Sequence, residues 1–216
     1  MKYNSFYFQL FRGTMKKVLT ERYGQDFARD TMKKACNLYK KLVLDADDIG
    51  AGNPMAYNEL FALAFVAPYI ARGKRIAPEI VQEMMRRSLY RVKFYFSMVD
   101  LNTPQGKLSN QKSILKYVKW YTPERERRYP NSFKVDFVGK PYEEACYYRI
   151  TRCPICAYCK RLGVEELMPL LCELDKVMIG LQHGVLHREQ TIASGGGCCD
   201  YFITGDREQL KPEDKN

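Results

Sequence analysis

The chain has 216 residues, enough to bury a sizeable core, and its 46% hydrophobic content with only 10 prolines excludes general disorder. The 35 basic and 25 acidic residues give a formal charge of +10. Because the basic residues are dispersed, they favour a solvated surface over a nucleic-acid or membrane site. The most apolar run, residues 60–71, is too short for the ~20 residues that span a bilayer.

The first half of the sequence predicts helices. Apolar residues recur at helical spacing over residues 26–44, which indicates an amphipathic helix. Residues 56–71 are nearly all apolar and predict a central, buried helix. Pro78 stands at a plausible first helical position, and an apolar stripe follows it, so we predict a third helix from this residue.

The second half predicts strands. After Asn102 the composition changes to aromatic and β-branched residues, which favours strands over residues 117–121, 133–138 and 147–151. Residues 165–181 predict a further helix. Two last strands, residues 185–193 and 198–204, are predicted to form a hairpin with a glycine-rich turn.

These elements together predict an α+β fold. A helical N-terminal half, about residues 15–100, packs on a mainly antiparallel sheet, about residues 113–204, with one further helix in the C-terminal half. Residues 1–205 are expected to form one domain, and residues 206–216 a polar tail.

The eight cysteines suggest two readings. The N-terminal residues lack the features of a signal peptide, so we expect a cytoplasmic protein with reduced thiols. Cys153, Cys156 and Cys159 are spaced C-x2-C-x2-C, and with the Cys198–Cys199 pair they suggest a zinc site. Adjacent strand residues point to opposite faces, however, so we expect no metal and no cofactor, and the thiols then serve as small core side chains.

A wider pattern surrounds these cysteines. It consists of Cys153-Pro154, Gly163, Glu166-Leu167, Pro169, Cys172, Asp175, Arg188, Thr191, Gly195 and Cys199-Asp200-Tyr201. This order resembles the C-terminal half of the L-2-amino-thiazoline-4-carboxylic acid hydrolase family. The resemblance extends more loosely forward, so that it covers about residues 27–204. Tyr201 stands where the family more usually has phenylalanine, and Cys156, Cys159 and Cys198 have no counterpart in its pattern.

The resemblance implies a hydrolase acting on a non-peptide C–N bond of a cyclic amidine. Its substrate would be a thiazoline carboxylate, which is opened by adding water at the amidine carbon. Such a reaction needs a nucleophile, an acid/base group and a cation for the carboxylate. The candidate residues for the first two roles are Cys153, Cys172, Cys199, Asp175 and Asp200.

Arg188 is the candidate for binding the substrate carboxylate, because a guanidinium binds a carboxylate bidentately, and Arg149 and Arg152 are its rivals. Cys172 and Asp175 are three residues apart on a predicted helix, so their side chains share one face. The two histidines, His183 and His187, are not assigned a catalytic role. The expected partner is thus a small-molecule carboxylate, and the oligomeric state stays open.

Two other functions compete with this one. A more distant resemblance to vinyl-reductase-type small-ligand domains keeps open a non-catalytic small-ligand or metal-binding module on the same fold. Basic and aromatic residues alternate between Lys112 and Arg128, as in surfaces that stack nucleic-acid bases. These aromatic residues fit a buried face equally well, so we expect no nucleic-acid partner and no membrane partner.

Overall fold

The computed structural model describes residues 1–137 and 146–208. Its helices are α1 (Phe6–Tyr23), α2 (Gln25–Asp45), α3 (Ala56–Ala71), α4 (Pro78–Arg91), α5 (Lys93–Ser97), α6 (Pro104–Trp120), α7 (Pro123–Arg128), α8 (Pro154–Arg161) and α9 (Met168–Gly180). Its strands are β1 (Lys134–Phe137), β2 (Cys146–Arg152), β3 (Gly184–His187) and β4 (Cys199–Gly205). The predicted α+β fold, helical at the N-terminal side with an antiparallel sheet after it, is confirmed.

Helix α3 lies at the centre of the helical part. It packs against α1, α2 and α4, and it buries a continuous run of side chains from Ala62 to Tyr69. Such a helix is apolar on all sides because every side faces protein. The helices predicted at residues 26–44, 56–71 and from Pro78 are confirmed as α2, α3 and α4.

The strand predicted at residues 117–121 was wrong, because residues 104–120 form helix α6. The helix begins as helices often do, with Pro104 in the first position and the Thr103 hydroxyl accepting a hydrogen bond from the Gly106 amide at 3.0 Å. Tyr117 and Trp120 are three residues apart, and both pack into the core that lies under the sheet. The aromatic residues therefore line one face of a helix, and tertiary packing outweighs their preference for strands.

The sheet has the strand order β1-β2-β4-β3, and every neighbouring pair is antiparallel. In β4 the side chains of Cys199, Tyr201 and Ile203 are buried, whereas Asp200 and Phe202 are less buried on the other face. Helix α9 packs on β3 and on α4, and it contributes buried residues to the core of each half. The inner face of β4 is therefore turned towards helix α9.

The predicted strand at residues 185–193 is shorter than expected and ends at His187 as β3. Residues 192–194 form a 3₁₀ turn instead, which begins with the Thr191 hydroxyl accepting a hydrogen bond from the Ser194 amide. The antiparallel pairing predicted between these last two strands is confirmed, with His187 opposite Phe202. Part of the predicted strand at residues 133–138, namely residue 138, lies outside the described residues.

A close contact joins the helical part to the sheet core. Gly50 has a φ of +99°, and a Cβ at this position would lie 2.5 Å from Cζ2 of Trp120. Only glycine adopts this conformation without strain, so the indole can lie directly on the backbone. Within the described ranges no helix combines the length and apolar character needed to cross a membrane.

Candidate functional site

Three elements of the C-terminal half bring the candidate residues together. Cys172 and Asp175 lie on helix α9, Arg188 follows the last residue of β3, and Cys199 is the first residue of β4. Because β3 pairs with β4 and α9 packs on β3, residues far apart in sequence meet on the inner face of the sheet. The prediction that Cys172 and Asp175 lie three residues apart on one helix agrees with their positions on α9.

Arg188, Asp175 and Tyr201 form a hydrogen-bonded network. Nη1 of Arg188 donates to Oδ2 of Asp175 at 2.8 Å, and the Tyr201 hydroxyl donates to the same oxygen at 2.7 Å. Nη2 of Arg188 donates to the carbonyl oxygen of Cys172 at 2.7 Å. The Arg188 side chain is only 2% exposed, so it is no ordinary surface arginine but a buried charge that needs these partners.

The charges of this network are set by burial and by the neighbouring groups. Burial raises the pKa of Asp175, while the Tyr201 hydroxyl and the Arg188 guanidinium oppose that rise. Burial also raises the pKa of Tyr201 well above its usual range, so its hydroxyl stays a hydrogen-bond donor. Both donors bind Oδ2, which leaves Oδ1 of Asp175 without a donor among the described residues. This oxygen can accept a proton from water or from a ligand.

The thiols near this network are protonated at neutral pH. Burial raises the pKa of Cys172 to about 12, and the negative charge of Asp175 adds to the rise. Burial also raises the pKa values of Cys153 and Cys199. For Cys199 the Ile192 amide, which donates to Sγ at 3.3 Å, and Arg188 work in the opposite direction. The thiols can therefore donate protons, but a thiolate requires a base.

Asp200 is not part of this cluster. Its carboxylate lies on the other face of β4 and accepts hydrogen bonds from the amides of Glu189 and Gln190 at 2.9 and 2.8 Å. These bonds hold the loop that follows β3. They give Asp200 a structural contact away from Asp175 and Arg188.

The rival arginines also lie elsewhere. Arg149 is paired in register with Asp200 and donates to the Tyr147 hydroxyl, and Arg152 donates to the Ser132 carbonyl oxygen at 2.7 Å. Of the three arginines considered for a carboxylate, Arg188 is the one bonded to Asp175.

Sequence reasoning missed Tyr201 as a member of the network. The signal was present, since Tyr201 is two residues after Cys199 in a strand, and alternate residues of a strand face the same side. The same rule places Asp200 on the opposite side. Only the structure, however, gives the bond from the Tyr201 hydroxyl to Asp175.

The histidines lie outside the network, whereas Cys156 is close enough to interact electrostatically with Cys153, Cys172 and Cys199. In the described parts of the chain, no group of three or more His, Cys, Asp or Glu side chains is arranged to hold a metal ion. Nε2 of His187 lies 3.0 Å from the Thr204 hydroxyl, and Nδ1 of His183 lies 3.7 Å from Asp206. The proposed stacking surface between Lys112 and Arg128 has two of its aromatic residues, Tyr117 and Trp120, buried.

Comparison with known proteins identifies a family. The sequence model for L-2-amino-thiazoline-4-carboxylic acid hydrolase matches residues 57–203, which include α9, β1, β2, β3, most of β4 and every residue of the network. No curated protein and no solved structure matches the chain significantly.

Proposed function

The chain belongs to the L-2-amino-thiazoline-4-carboxylic acid hydrolase family, and on that premise we propose that it hydrolyses a cyclic amidine that carries a carboxylate, such as 2-aminothiazoline-4-carboxylate. The observation that carries the proposal is the buried Arg188–Asp175–Tyr201 network beside Cys172 and Cys199. It combines a carboxylate that can act as a base, thiols that can donate protons and a cation that can bind the substrate carboxylate, and these are the roles that the reaction needs.

Asp175 is the general base in this proposal. Its Oδ2 is held by two donors, so Oδ1 faces the water that attacks the amidine carbon. The carboxylate takes a proton from this water while the oxygen forms a bond to the carbon. Burial raises the pKa of Asp175 above its usual value, which improves a carboxylate as a base.

A thiol is the general acid. After water has added, the bond from the central carbon to a ring heteroatom breaks, and that atom takes a proton from Cys172 or Cys199. Asp175 then returns its proton to the thiolate, which restores the starting state. A pKa of about 12 keeps the Cys172 thiol protonated before the reaction. Cys153 lies close enough to interact electrostatically with both thiols, and it is the third candidate donor.

Arg188 is proposed to bind the substrate carboxylate as well as to orient Asp175. Two of its nitrogens already donate to Asp175 and to Cys172, and a guanidinium has five N–H groups, so further donors remain. Loss of this side chain would leave Asp175 buried without its counter-ion, so an alanine variant tests stability and binding together.

A second mechanism uses Cys199 as the nucleophile. It is favoured by the hydrogen bond from the Ile192 amide to Sγ and by the nearby Arg188, since both stabilise a thiolate. In this case Cys199 gives its proton to Asp175 and its sulfur bonds to the amidine carbon, and the bond from that carbon to a ring heteroatom breaks as Asp175 passes the proton to the departing atom. In a second step water attacks the same carbon, the carbon–sulfur bond breaks, and the Cys199 sulfur regains a proton as the product leaves.

The experiment follows ring opening of 2-aminothiazoline-4-carboxylate by loss of the ring absorbance and by the appearance of a product thiol or amine. Wild-type protein is compared with Asp175→Asn, Cys172→Ser, Cys199→Ser and Cys153→Ser, and Cys36→Ser serves as the control because Cys36 lies on α2, away from the network.

We expect Asp175→Asn to lose nearly all turnover. Serine at the acid position should lower turnover by about 10²- to 10⁴-fold with little change in substrate affinity. Accumulation of a covalent adduct that Cys199→Ser abolishes would replace the acid role by the nucleophilic one. Binding of the substrate without turnover by wild-type protein would instead support a non-catalytic ligand-binding module.

A further inference from the structure

A large aromatic face is exposed where α4 meets α5. The side chains of Phe94, Tyr95 and Met98 are 71%, 72% and 73% exposed, and Tyr90 is half exposed. Tyr90 lies in the last turn of α4, Phe94 and Tyr95 lie on α5, and Met98 directly follows α5, so the four exposed side chains surround the junction of the two helices. The buried residues of α4, such as Met84 and Leu89, pack into the core instead. The exposed side chains are thus not part of the hydrophobic core.

Basic residues flank these aromatic side chains. Arg86, Arg91 and Lys93 are exposed, and none of them forms an ion pair with another residue that the structure describes. The sequence from Arg86 to Val99 contains no acidic residue. Arg87 is different, because it pairs with Glu21 and Glu83. We call Arg86, Tyr90, Arg91, Lys93, Phe94, Tyr95 and Met98 the aromatic–basic face.

The positive charge continues onto helix α1. The guanidinium of Arg91 lies against Gly13, where a Cβ would be 3.3 Å from its Nη1. Gly13 also lines a shallow groove together with Lys16, Lys17 and Glu21, and the Glu21 carboxylate is paired with Arg87. Both lysines are exposed and have no ion-pair partner in the described ranges. The aromatic–basic face therefore borders a groove that suits phosphate groups.

We propose that the aromatic–basic face docks on an anionic lipid surface. Aromatic and methionine side chains enter the region between headgroups and acyl chains, while arginine and lysine contact the lipid phosphates. This proposal differs from our expectation of no membrane partner, which rested on how the basic residues are spread along the sequence. In the folded chain, α1 packs against α4, so the basic residues of α1, α4 and α5 lie near one another.

Two features disfavour a second copy of the chain as the occupant. Two such faces would bring Arg86, Arg91 and Lys93 of each copy against like charges, which repel one another. The side chains of Tyr90, Phe94, Tyr95 and Met98 expose roughly 500 Å² in total, so a dimer would have to bury the neighbouring basic residues as well to reach the area of about 800 Å² that a stable interface buries on each partner. A lipid surface needs no matching shape, and its negative charge complements the face.

Co-sedimentation of the full chain with vesicles tests the proposal. We expect the protein to sediment with vesicles of phosphatidylcholine mixed with phosphatidylglycerol but not with phosphatidylcholine alone, and we expect added salt to weaken the binding. Replacing Phe94 and Tyr95 together by serine should lower the affinity at least tenfold. Replacing Arg86 and Lys93 by glutamine should lower it about tenfold and reduce its dependence on salt.

Matched controls separate this face from the general charge of the protein. Leu44→Ser removes an exposed apolar side chain elsewhere, and Lys33→Gln with Lys41→Gln removes two exposed charges on α2. These variants should bind vesicles like the wild type, and thermal unfolding should show that every variant is folded.

Three results would overturn the proposal. One is an absence of binding to anionic vesicles at low salt, and another is an equal loss of binding in the control variants. The third is a dimer, seen by sedimentation equilibrium, that serine at Phe94 and Tyr95 dissociates while vesicles remain unbound, since the face would then bind a second copy. Retardation of RNA or DNA that depends on the same residues, without vesicle binding, would reassign the face to nucleic acid.

Discussion

Glu59 gives the folded chain a stability that depends on pH. Its side chain is 0% exposed on α3, and neither carboxyl oxygen has a hydrogen-bond donor among the described residues. Burial, with a smaller contribution from Asp47, raises its pKa from 4.5 to about 7. The perturbation that we propose is Glu59→Gln, which keeps the size of the side chain and removes its titration.

The magnitude follows from the two pKa values. A rise from 4.5 to about 7 corresponds to about 3 kcal/mol of free energy. Between these pH values the folded chain holds a proton on Glu59 that the unfolded chain has lost, so the free energy of unfolding falls as pH rises. The fall is complete above about pH 7, where both states are ionised. Below pH 4.5 both are protonated and this contribution to the pH dependence vanishes.

Urea unfolding at a series of pH values measures the effect. The free energy of unfolding of Glu59→Gln minus that of wild type should rise by about 3 kcal/mol from the acidic to the alkaline side of this window. Glu165→Gln, at an exposed position, is the control and should show no such change. A difference between Glu59→Gln and wild type that stays constant with pH would refute the reasoning, because Glu59 would then be ionised in the folded state or in contact with solvent.

Three further predictions concern the network, a glycine and metal content. Tyr201→Phe removes one hydrogen-bond donor to Asp175, so the pKa of the base should rise in the pH profile of kcat/KM, and turnover should fall about tenfold. An unchanged pH profile would show that Tyr201 does not influence the base. Gly50→Ala should lower the free energy of unfolding, measured by urea titration, by about 2 kcal/mol, because φ is positive at this residue and the added Cβ would meet the Trp120 side chain. An unchanged free energy of unfolding would show that the loop relaxes without cost. Elemental analysis of dialysed protein should find less than one zinc per chain, and stoichiometric zinc that the double change Cys156→Ser and Cys159→Ser removes would contradict this.

Residue spacing predicted α2, α3 and α4 because each of these helices has one clear pattern, whereas α1 and α5 were not predicted as helices. In α2 and α4 an apolar stripe repeats at helical spacing, and α3 is apolar throughout, so burial and periodicity agree. In α6 they disagree, since Tyr117 and Trp120 favour strands by type but stand at helical spacing. Thr103 and Pro104 form a helix-start signal that indicates the correct structure, but the strand-like composition of the following residues led to the wrong prediction.

The candidate site was predictable in part. The position of Cys172 and Asp175 on one helical face followed from their spacing, and Arg188 was identified by its chemistry. That Arg188 is buried and paired with Asp175 depends on how α9 packs on β3, which no local pattern encodes. Strand alternation puts Asp200 on the face opposite Cys199, but the sequence analysis nevertheless counted it among the candidate catalytic residues. Its bonds to the loop depend on where β3 ends.

The order of the strands has a consequence for synthesis of the chain on the ribosome. Strand β4 comes last in sequence but lies between β2 and β3 in the sheet. Until residues 199–205 have left the exit tunnel, β2 and β3 have no common neighbour, and Cys199 and Tyr201 are absent from the inner face. A nascent chain can therefore fold its helices and pair β1 with β2 early, but it completes the four-stranded sheet and the Asp175 network in one late step. A truncation before residue 199 would leave β3 unpaired and the network incomplete at once, however stable the helical half remained.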